Sequence, residues 1–251
     1  ALALRDADIG IAMGERGSDV ARAAADLVLM DDDFATIVRA VRDGRRIFDN
    51  LRHAFSYLVA FHAPLLTSAL IVPLLGLPLL LMPIHLVVLE LIVHTPSSLV
   101  IAADAAAPDV MRRSPRPHSE GILSGQGWVR PALIGGTLSI VVLGIYLAQL
   151  HAGTPPDAAR AAAFVTMLVG QCAIVLVERS PGKPFWTGLK LNRALLIALP
   201  VTLAMLPLAV YVPGLNAALH FAPLPAATWG LAVAVALAAT LWYEPFKRLP
   251  A

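Results

Sequence analysis

Four polar side chains within apolar stretches of the sequence could together bind a cation. Glu90 is the one acidic residue after position 50 that lies inside such a stretch rather than at its end. A carboxylate in this setting is costly unless it is paired, protonated or bound to a metal. His94 follows four residues later and shares its helical face. With His62 and Gln171 at similar depths, we predict an ion-binding site of Glu90, His94, His62 and Gln171, with Glu90 and His94 as candidate metal ligands.

Two prolines lie beside these side chains. Pro96 cannot donate a hydrogen bond to the carbonyl of Ile92, and Pro64 follows His62 by two residues. Freed carbonyls within a membrane are typical cation ligands, so Pro64 and Pro96 are predicted to break their helices beside the site. The alternatives are a simple kink at Pro96, a protonated Glu90 bonded to a neighbouring helix, and histidine or glutamine acting in helix contacts. His85 is interpreted as a packing residue.

The candidate residues lie in six segments that are long and apolar enough to cross a membrane. The chain has 251 residues, of which 58% are hydrophobic and 14% charged, with a mean hydropathy of +0.73. This composition favours a polytopic membrane domain over a soluble helical bundle. Glu90 is about 17 Å into the second segment at 1.5 Å per residue, near the middle of a hydrocarbon core about 30 Å thick. The predicted spans are about 53–75, 79–103, 131–151, 159–177, 194–212 and 227–243.

Lysine and arginine predict the orientation of these spans. They occur in the connections 104–130 and 178–193 and in the tail, and are absent from 76–78, 152–158 and 213–226. This alternation predicts an integral membrane protein, which we assign to the plasma (inner) membrane, with both termini cytoplasmic. The net charge of +2 gives no indication of a nucleic-acid partner, and the single cysteine excludes a disulfide within the chain.

Residues 1–50 differ in character from the rest of the chain, since they hold ten of its 17 acidic residues. Strands are predicted at 9–13 and 27–30, with a helix capped by Ser18 between them and a second helix from about residue 34 into the first span. Asp31, Asp32 and Asp33 are interpreted as a strand end and helix cap, with divalent-ion binding as the alternative. The predicted fold is mainly α, with a six-helix membrane domain at 51–251 preceded by a partial α/β unit at 1–50.

Several motifs in these segments are specific. Residues 7–14 read ADIGIAMG, residues 19–26 read DVARAAAD, residues 44–50 read GRRIFDN, and LMP and LEL occur at 81–83 and 89–91. Together they resemble P-type cation-transporting ATPases of the calcium- and sodium-pump-like subfamily. The resemblance covers the end of the HAD-like phosphorylation domain, the stalk helix and the last six membrane helices. It implies a C-terminal fragment of an ATP-driven cation pump.

The resemblance also implies what an intact pump would supply. The phosphorylated aspartate, the nucleotide and actuator domains and four earlier spans would lie upstream, with ATP and Mg²⁺ as cofactors. No catalytic residue is assigned to this chain, which alone should be inactive. The helix 34–60 would carry motion of the head to Glu90. The partners would be the transported cation, the lipid bilayer and the upstream domains.

Glu90, His94, His62 and Gln171 fall where related pumps carry ion ligands, although Leu65 replaces a usual glutamate. One carboxylate with imidazoles suits a proton, a monovalent ion or a softer divalent ion such as Mn²⁺ or Zn²⁺ better than a calcium cage. Two other functions stay open: a secondary transporter or channel of unrelated origin, and an inactive truncated remnant anchored in the membrane.

Overall fold

The chain divides into two structural units in a computed structural model that describes residues 1–117, 121–123, 125–180, 183–186 and 192–248. The first unit comprises Ala1–Phe48 and Ala106–Pro115, and the second comprises Asp49–Ala105 and Arg116–Ala251. Lys190, one of the basic residues used above to predict orientation, lies outside the described residues.

The first unit contains a small parallel α/β arrangement. Helix α1 (Leu2–Asp6) is followed by strand β1 (Ile11–Met13), helix α2 (Asp19–Ala24) and strand β2 (Leu27–Leu29). The strands pair in parallel with Ile11 opposite Leu27. The Ser18 hydroxyl accepts a hydrogen bond from the Ala21 amide and caps α2, as the sequence predicts. Helix α1 was not predicted, and two short strands leave membership of the HAD-like class a prediction.

The acidic run after β2 organises the start of the next helix. The Asp33 carboxylate accepts from the Ala35 amide at 2.9 Å. The Thr36 hydroxyl donates to Asp31, and this hydrogen bond lowers the pKa of that carboxyl below its ordinary value. Asp32 accepts from the amides of Glu15 and Arg16. These contacts agree with a strand end and helix cap.

In the described part of the chain, six helices are long and apolar enough to cross a membrane, as predicted. The first begins 18 residues before the predicted 53, because the preceding amphipathic helix continues into it without a break. The second begins at Pro83 instead of 79, since 77–82 are not helical. We number them span 1 (Ala35–Leu74), span 2 (Pro83–Ala102), span 3 (Gly125–His151), span 4 (Pro156–Glu178), span 5 (Arg193–Tyr211) and span 6 (Ala226–Leu241). A short helix (Pro213–Ala218) precedes span 6, and a 3-10 helix (Glu244–Arg248) follows it.

Span 4 forms the centre of the second unit, since 94% of an apolar stretch of 18 residues within it is buried. Spans 3 and 6 pack against it. Span 3 also approaches span 1 closely at Gly135. A Cβ atom there would lie 2.8 Å from both the carbonyl oxygen of Ala60 and the Cβ of Ala63. The absence of a side chain at Gly135 therefore lets span 3 lie against the turn of span 1 that contains His62.

Buried ion pairs join the spans at the end of span 4 that carries Glu178. Glu178 is fully buried and pairs with Arg130 of span 3 at 2.5 Å. Arg179, the next residue, donates to Asp104 at 2.6 Å, and Asn192 donates to the same carboxylate at 2.7 Å. The basic residues that predict orientation in the sequence thus also neutralise buried carboxylates in the structure.

At the opposite end of span 4, Arg160 joins two connections between spans. Its side chain is 4% exposed and donates to the carbonyls of Leu79 at 2.9 Å and His220 at 2.7 Å. His85 also lies here, where the Met82 amide donates to its Nδ1 and its Nε2 donates to the Leu219 carbonyl. His85 is therefore a packing residue, as interpreted from the sequence, whereas Arg160 was not recognised.

Gly135 and Gly136 provide a matched test of the span 1–span 3 contact. We expect Gly135→Ala to lower the free energy of unfolding by about 1–3 kcal/mol, because the added methyl group must displace backbone of span 1. Gly136→Ala should have little effect, since nothing lies within 4 Å of a Cβ at that position. Unfolding of the purified protein in detergent measures both. Equal stability of the two variants would contradict this packing.

Glu178→Gln tests the buried ion pair. It leaves the Arg130 guanidinium largely buried without its counter-charge, and loss of one partner from such a pair costs about 3–5 kcal/mol. Asp109→Asn is the control, since the Asp109–Arg113 pair is 58% and 45% exposed and should contribute at most about 1 kcal/mol. The same unfolding measurement applies. A Glu178→Gln variant as stable as Asp109→Asn would show that the Arg130 charge has another partner.

Candidate functional site

Glu90 lies in a turn of span 2 that departs from α-helical geometry. Residues Leu89–His94 form a π-helix, and both the amide and the hydroxyl of Thr95 donate to the Glu90 carbonyl. Pro96 explains this turn, because it has no N–H and its ring would clash with the carbonyl of Ile92. The wider turn removes that conflict without unwinding the helix.

The prediction that Pro64 and Pro96 break their helices is therefore wrong. Span 2 stays helical through Pro96, although the turn before it is widened. Span 1 stays helical through Pro64, which lies buried in its interior. The Thr67 hydroxyl donates to the Ala63 carbonyl one turn before it. Neither proline provides the unwound backbone that was expected to offer carbonyl ligands.

Three of the four predicted side chains meet at one place. The Glu90 carboxylate contacts His94 Nδ1 through Oε2 at 2.8 Å and His62 Nε2 through Oε1 at 3.3 Å. His94 comes from the same helix, four residues on, and His62 comes from span 1. One carboxylate is thus shared by two imidazoles from two spans, and we call this group the His62–Glu90–His94 triad.

Each imidazole of the triad has a defined polar contact. His62 Nδ1 lies 2.9 Å from the Leu58 carbonyl, which can only accept, so Nδ1 donates this hydrogen bond. Each oxygen of the Glu90 carboxylate has an imidazole nitrogen beside it, His94 Nδ1 at Oε2 and His62 Nε2 at Oε1. These polar partners reduce the cost of a carboxylate in an apolar helix.

Aromatic rings surround the two imidazoles. The Phe61 ring is stacked on His94, with ring centroids 4.8 Å apart, and meets His62 edge-on at 5.2 Å. The Tyr57 ring centroid lies 5.7 Å from that of His94. Both aromatic side chains are fully buried. Sequence analysis did not include them, although Tyr57 and Phe61 are four residues apart on the helix that carries His62.

Gln171 lies next to the triad but does not contact its carboxylate. Its Nε2 lies 3.5 Å from the Phe61 carbonyl, and its Oε1 has no hydrogen-bond partner among the described residues. The side chain is fully buried in span 4. The structure therefore brings Glu90, His62 and His94 together and places Gln171 near the backbone carbonyl of Phe61.

The triad brings together three side chains that could coordinate a cation. Its side chains are partly exposed in this chain: 41% for Glu90, 34% for His62 and 20% for His94. No three histidine, cysteine, aspartate or glutamate residues in the described part of the chain are already arranged to hold a metal ion. Binding a cation at the triad would therefore require rearrangement of the side chains.

Comparison with known proteins identifies the family. Residues 78–249 match the family described as "Cation transporting ATPase, C-terminus". The chain is 31% identical over 233 residues to a calcium-transporting ATPase of Bacillus subtilis, an alignment that covers 92% of this chain and 26% of the relative. It is 30% identical over 285 residues to the sodium/potassium-transporting ATPase subunit alpha-4 of Homo sapiens, covering 98% of this chain and 28% of that protein.

A probable cation-transporting ATPase F of Mycobacterium bovis is 31% identical over 251 residues, covering 99% of this chain and 28% of the relative. The chain thus spans about a quarter of the length of these relatives. Six apolar helices and these relatives make it an integral membrane protein. From its match over more than half of its length, the chain belongs to the cation-transporting ATPase family and contains its C-terminal region.

Proposed function

We propose that this chain is the membrane part of an ATP-driven cation pump of the calcium- and sodium-pump-like subfamily. Its transported cation would bind at Glu90, with His62 and His94 as further ligands and Gln171 supporting the site from span 4. The observation that carries this proposal is the carboxylate shared by two imidazoles from two spans, in a chain of this family.

The energy for transport would come from domains upstream of this chain. In this proposal they bind ATP and Mg²⁺ and form an aspartyl phosphate, and residues 1–50 are the end of their HAD-like phosphorylation domain. The uninterrupted helix Ala35–Leu74 supports mechanical coupling, because it begins within residues 1–50 and continues to His62. The distribution of basic residues supports cytoplasmic termini. The membrane in this proposal is the plasma (inner) membrane.

The donor set favours a cation that accepts imidazole ligands. Calcium prefers six to eight oxygen ligands, whereas imidazole nitrogen suits ions such as Zn²⁺. The triad offers one carboxylate and two imidazoles, with fewer carboxylates than a calcium site needs. We therefore propose a softer divalent cation, with Zn²⁺ and Mn²⁺ as the first probes. Activation by protons, by a monovalent ion or by Ca²⁺ would overturn this choice of ion.

The alternative functions make different claims about the rest of the protein. A secondary transporter or channel has no phosphorylated domain, and a truncated remnant has no transport cycle. The coding sequence upstream distinguishes them, because a pump requires a DKTGT phosphorylation motif and the GDG-x-ND magnesium motif. A secondary transporter or channel of unrelated origin accounts neither for the family match nor for the parallel α/β unit at residues 1–48.

Glu90→Gln in the complete protein tests the proposed site. We expect cation-stimulated ATP hydrolysis to fall to the unstimulated level, because the amide removes the negative charge that binds the cation. Protein accumulation in the membrane should be unchanged, since glutamine retains the shape and can still hydrogen-bond both histidines. The assay measures ATP hydrolysis against the concentrations of Zn²⁺, Mn²⁺, Ca²⁺, Na⁺ and protons.

Asp157→Asn provides the control, because it removes a carboxylate at one end of span 4, remote from the triad in sequence and 54% exposed. It should keep cation stimulation. Cation-stimulated phosphorylation that is unchanged in Glu90→Gln would contradict the proposed site.

A further inference from the structure

Phe61 contacts both imidazoles of the triad from its buried side. Its ring is 0% exposed, stacks on the face of His94 and meets the ring of His62 edge-on. The two imidazole planes are 88° apart, with ring centroids separated by 5.4 Å. Phe61 therefore contacts two rings that face the same carboxylate from different directions.

The two imidazoles depend on Phe61 to different degrees. His62 has a hydrogen bond from Nδ1 to the Leu58 carbonyl, and its Nε2 lies 3.3 Å from Glu90 Oε1. His94 has one hydrogen bond in the described structure, from Nδ1 to Glu90, and its ring face lies on Phe61. A cation bound at Glu90 replaces the contacts of both imidazoles with the carboxylate, whereas the hydrogen bond of His62 to Leu58 can remain. The aromatic contact then remains to fix the plane of His94.

Ring orientation matters more for nitrogen ligands than for oxygen ligands. An imidazole nitrogen has one lone pair in the ring plane, so it binds a cation along one direction. A carboxylate has two oxygens and several lone pairs, so it tolerates a wider range of positions. Fixing the plane of His94 therefore stabilises binding of a cation such as Zn²⁺ and contributes little to binding of Ca²⁺.

We propose that Phe61 is a positioning residue that determines cation specificity at the triad. It fixes the His94 imidazole, and to a lesser extent that of His62, in the orientation that favours a nitrogen-binding divalent cation over an oxygen-binding one. This inference rests on the proposed function and adds a residue that does not itself bind the cation.

The test compares Phe61→Leu with Phe164→Leu in the complete protein. Phe164 is a matched control, because it is 1% exposed and packs on another histidine, His85, with ring centroids 5.3 Å apart. We expect Phe61→Leu to raise the half-activating Zn²⁺ concentration about two- to tenfold, as for loss of one aromatic pair, with maximal turnover per folded enzyme retained. The affinity for Ca²⁺, measured by competition against Zn²⁺, should change less.

Phe164→Leu should leave the half-activating Zn²⁺ concentration and the Zn²⁺/Ca²⁺ ratio unchanged, even if it lowers stability equally. Phe61→Met is the second variant if Phe61→Leu does not accumulate, because methionine fills irregular space with a flexible chain. An unchanged Zn²⁺/Ca²⁺ ratio in the Phe61 variant would overturn the inference. Equal changes in the affinities for Zn²⁺ and Ca²⁺ would also overturn it. So would the same change in the Zn²⁺/Ca²⁺ ratio in Phe164→Leu.

Glu90→Gln separates failure of this inference from failure of the proposed function. If Glu90→Gln abolishes Zn²⁺ stimulation and the Phe61 variant keeps its specificity, only the role of Phe61 is wrong. If the unmodified protein shows no Zn²⁺ stimulation, or Glu90→Gln retains it, the proposed function fails and the inference fails with it.

Discussion

A single carboxylate shared by two imidazoles is the interaction on which the site depends. Glu90 receives His94 from its own helix and His62 from span 1, so one negative charge joins two spans. Without these partners, a carboxylate among apolar residues would be costly. With them the carboxylate has a polar partner at each oxygen, and a cation could take the place of these contacts. The same three side chains thus account for tolerance of the charge and for its proposed use.

The surrounding structure keeps these spans in register. Gly135 lets span 3 approach the turn of span 1 that contains His62, and Gln171 of span 4 reaches the Phe61 carbonyl. Buried ion pairs at one end of span 4 and Arg160 at the other hold neighbouring spans and connections around it. The proposed cation site therefore lies among spans that these contacts join.

The sequence predicted the parts of this structure that follow from apolar length, from helical spacing and from the free-energy cost of a charge among apolar residues. Six spans follow from apolar length, and the Glu90–His94 contact follows from a spacing of four on a helix. Proximity of His62 was inferred from depth, which left its rotation about span 1 undetermined. The π-helix was missed because a proline can be accommodated by a wider turn as well as by a break. Contacts distant in sequence, such as Arg160 with His220, leave no local pattern.

The most direct test of the central claim is X-ray absorption of Zn²⁺ bound to the purified complete protein. The account predicts zinc coordinated by two imidazole nitrogens at about 2.0–2.1 Å together with carboxylate oxygen. It also predicts that this imidazole signal disappears when His62 and His94 are both replaced by asparagine. Zinc bound without imidazole, or a signal unchanged by those replacements, would contradict the claim that these three side chains form the cation site.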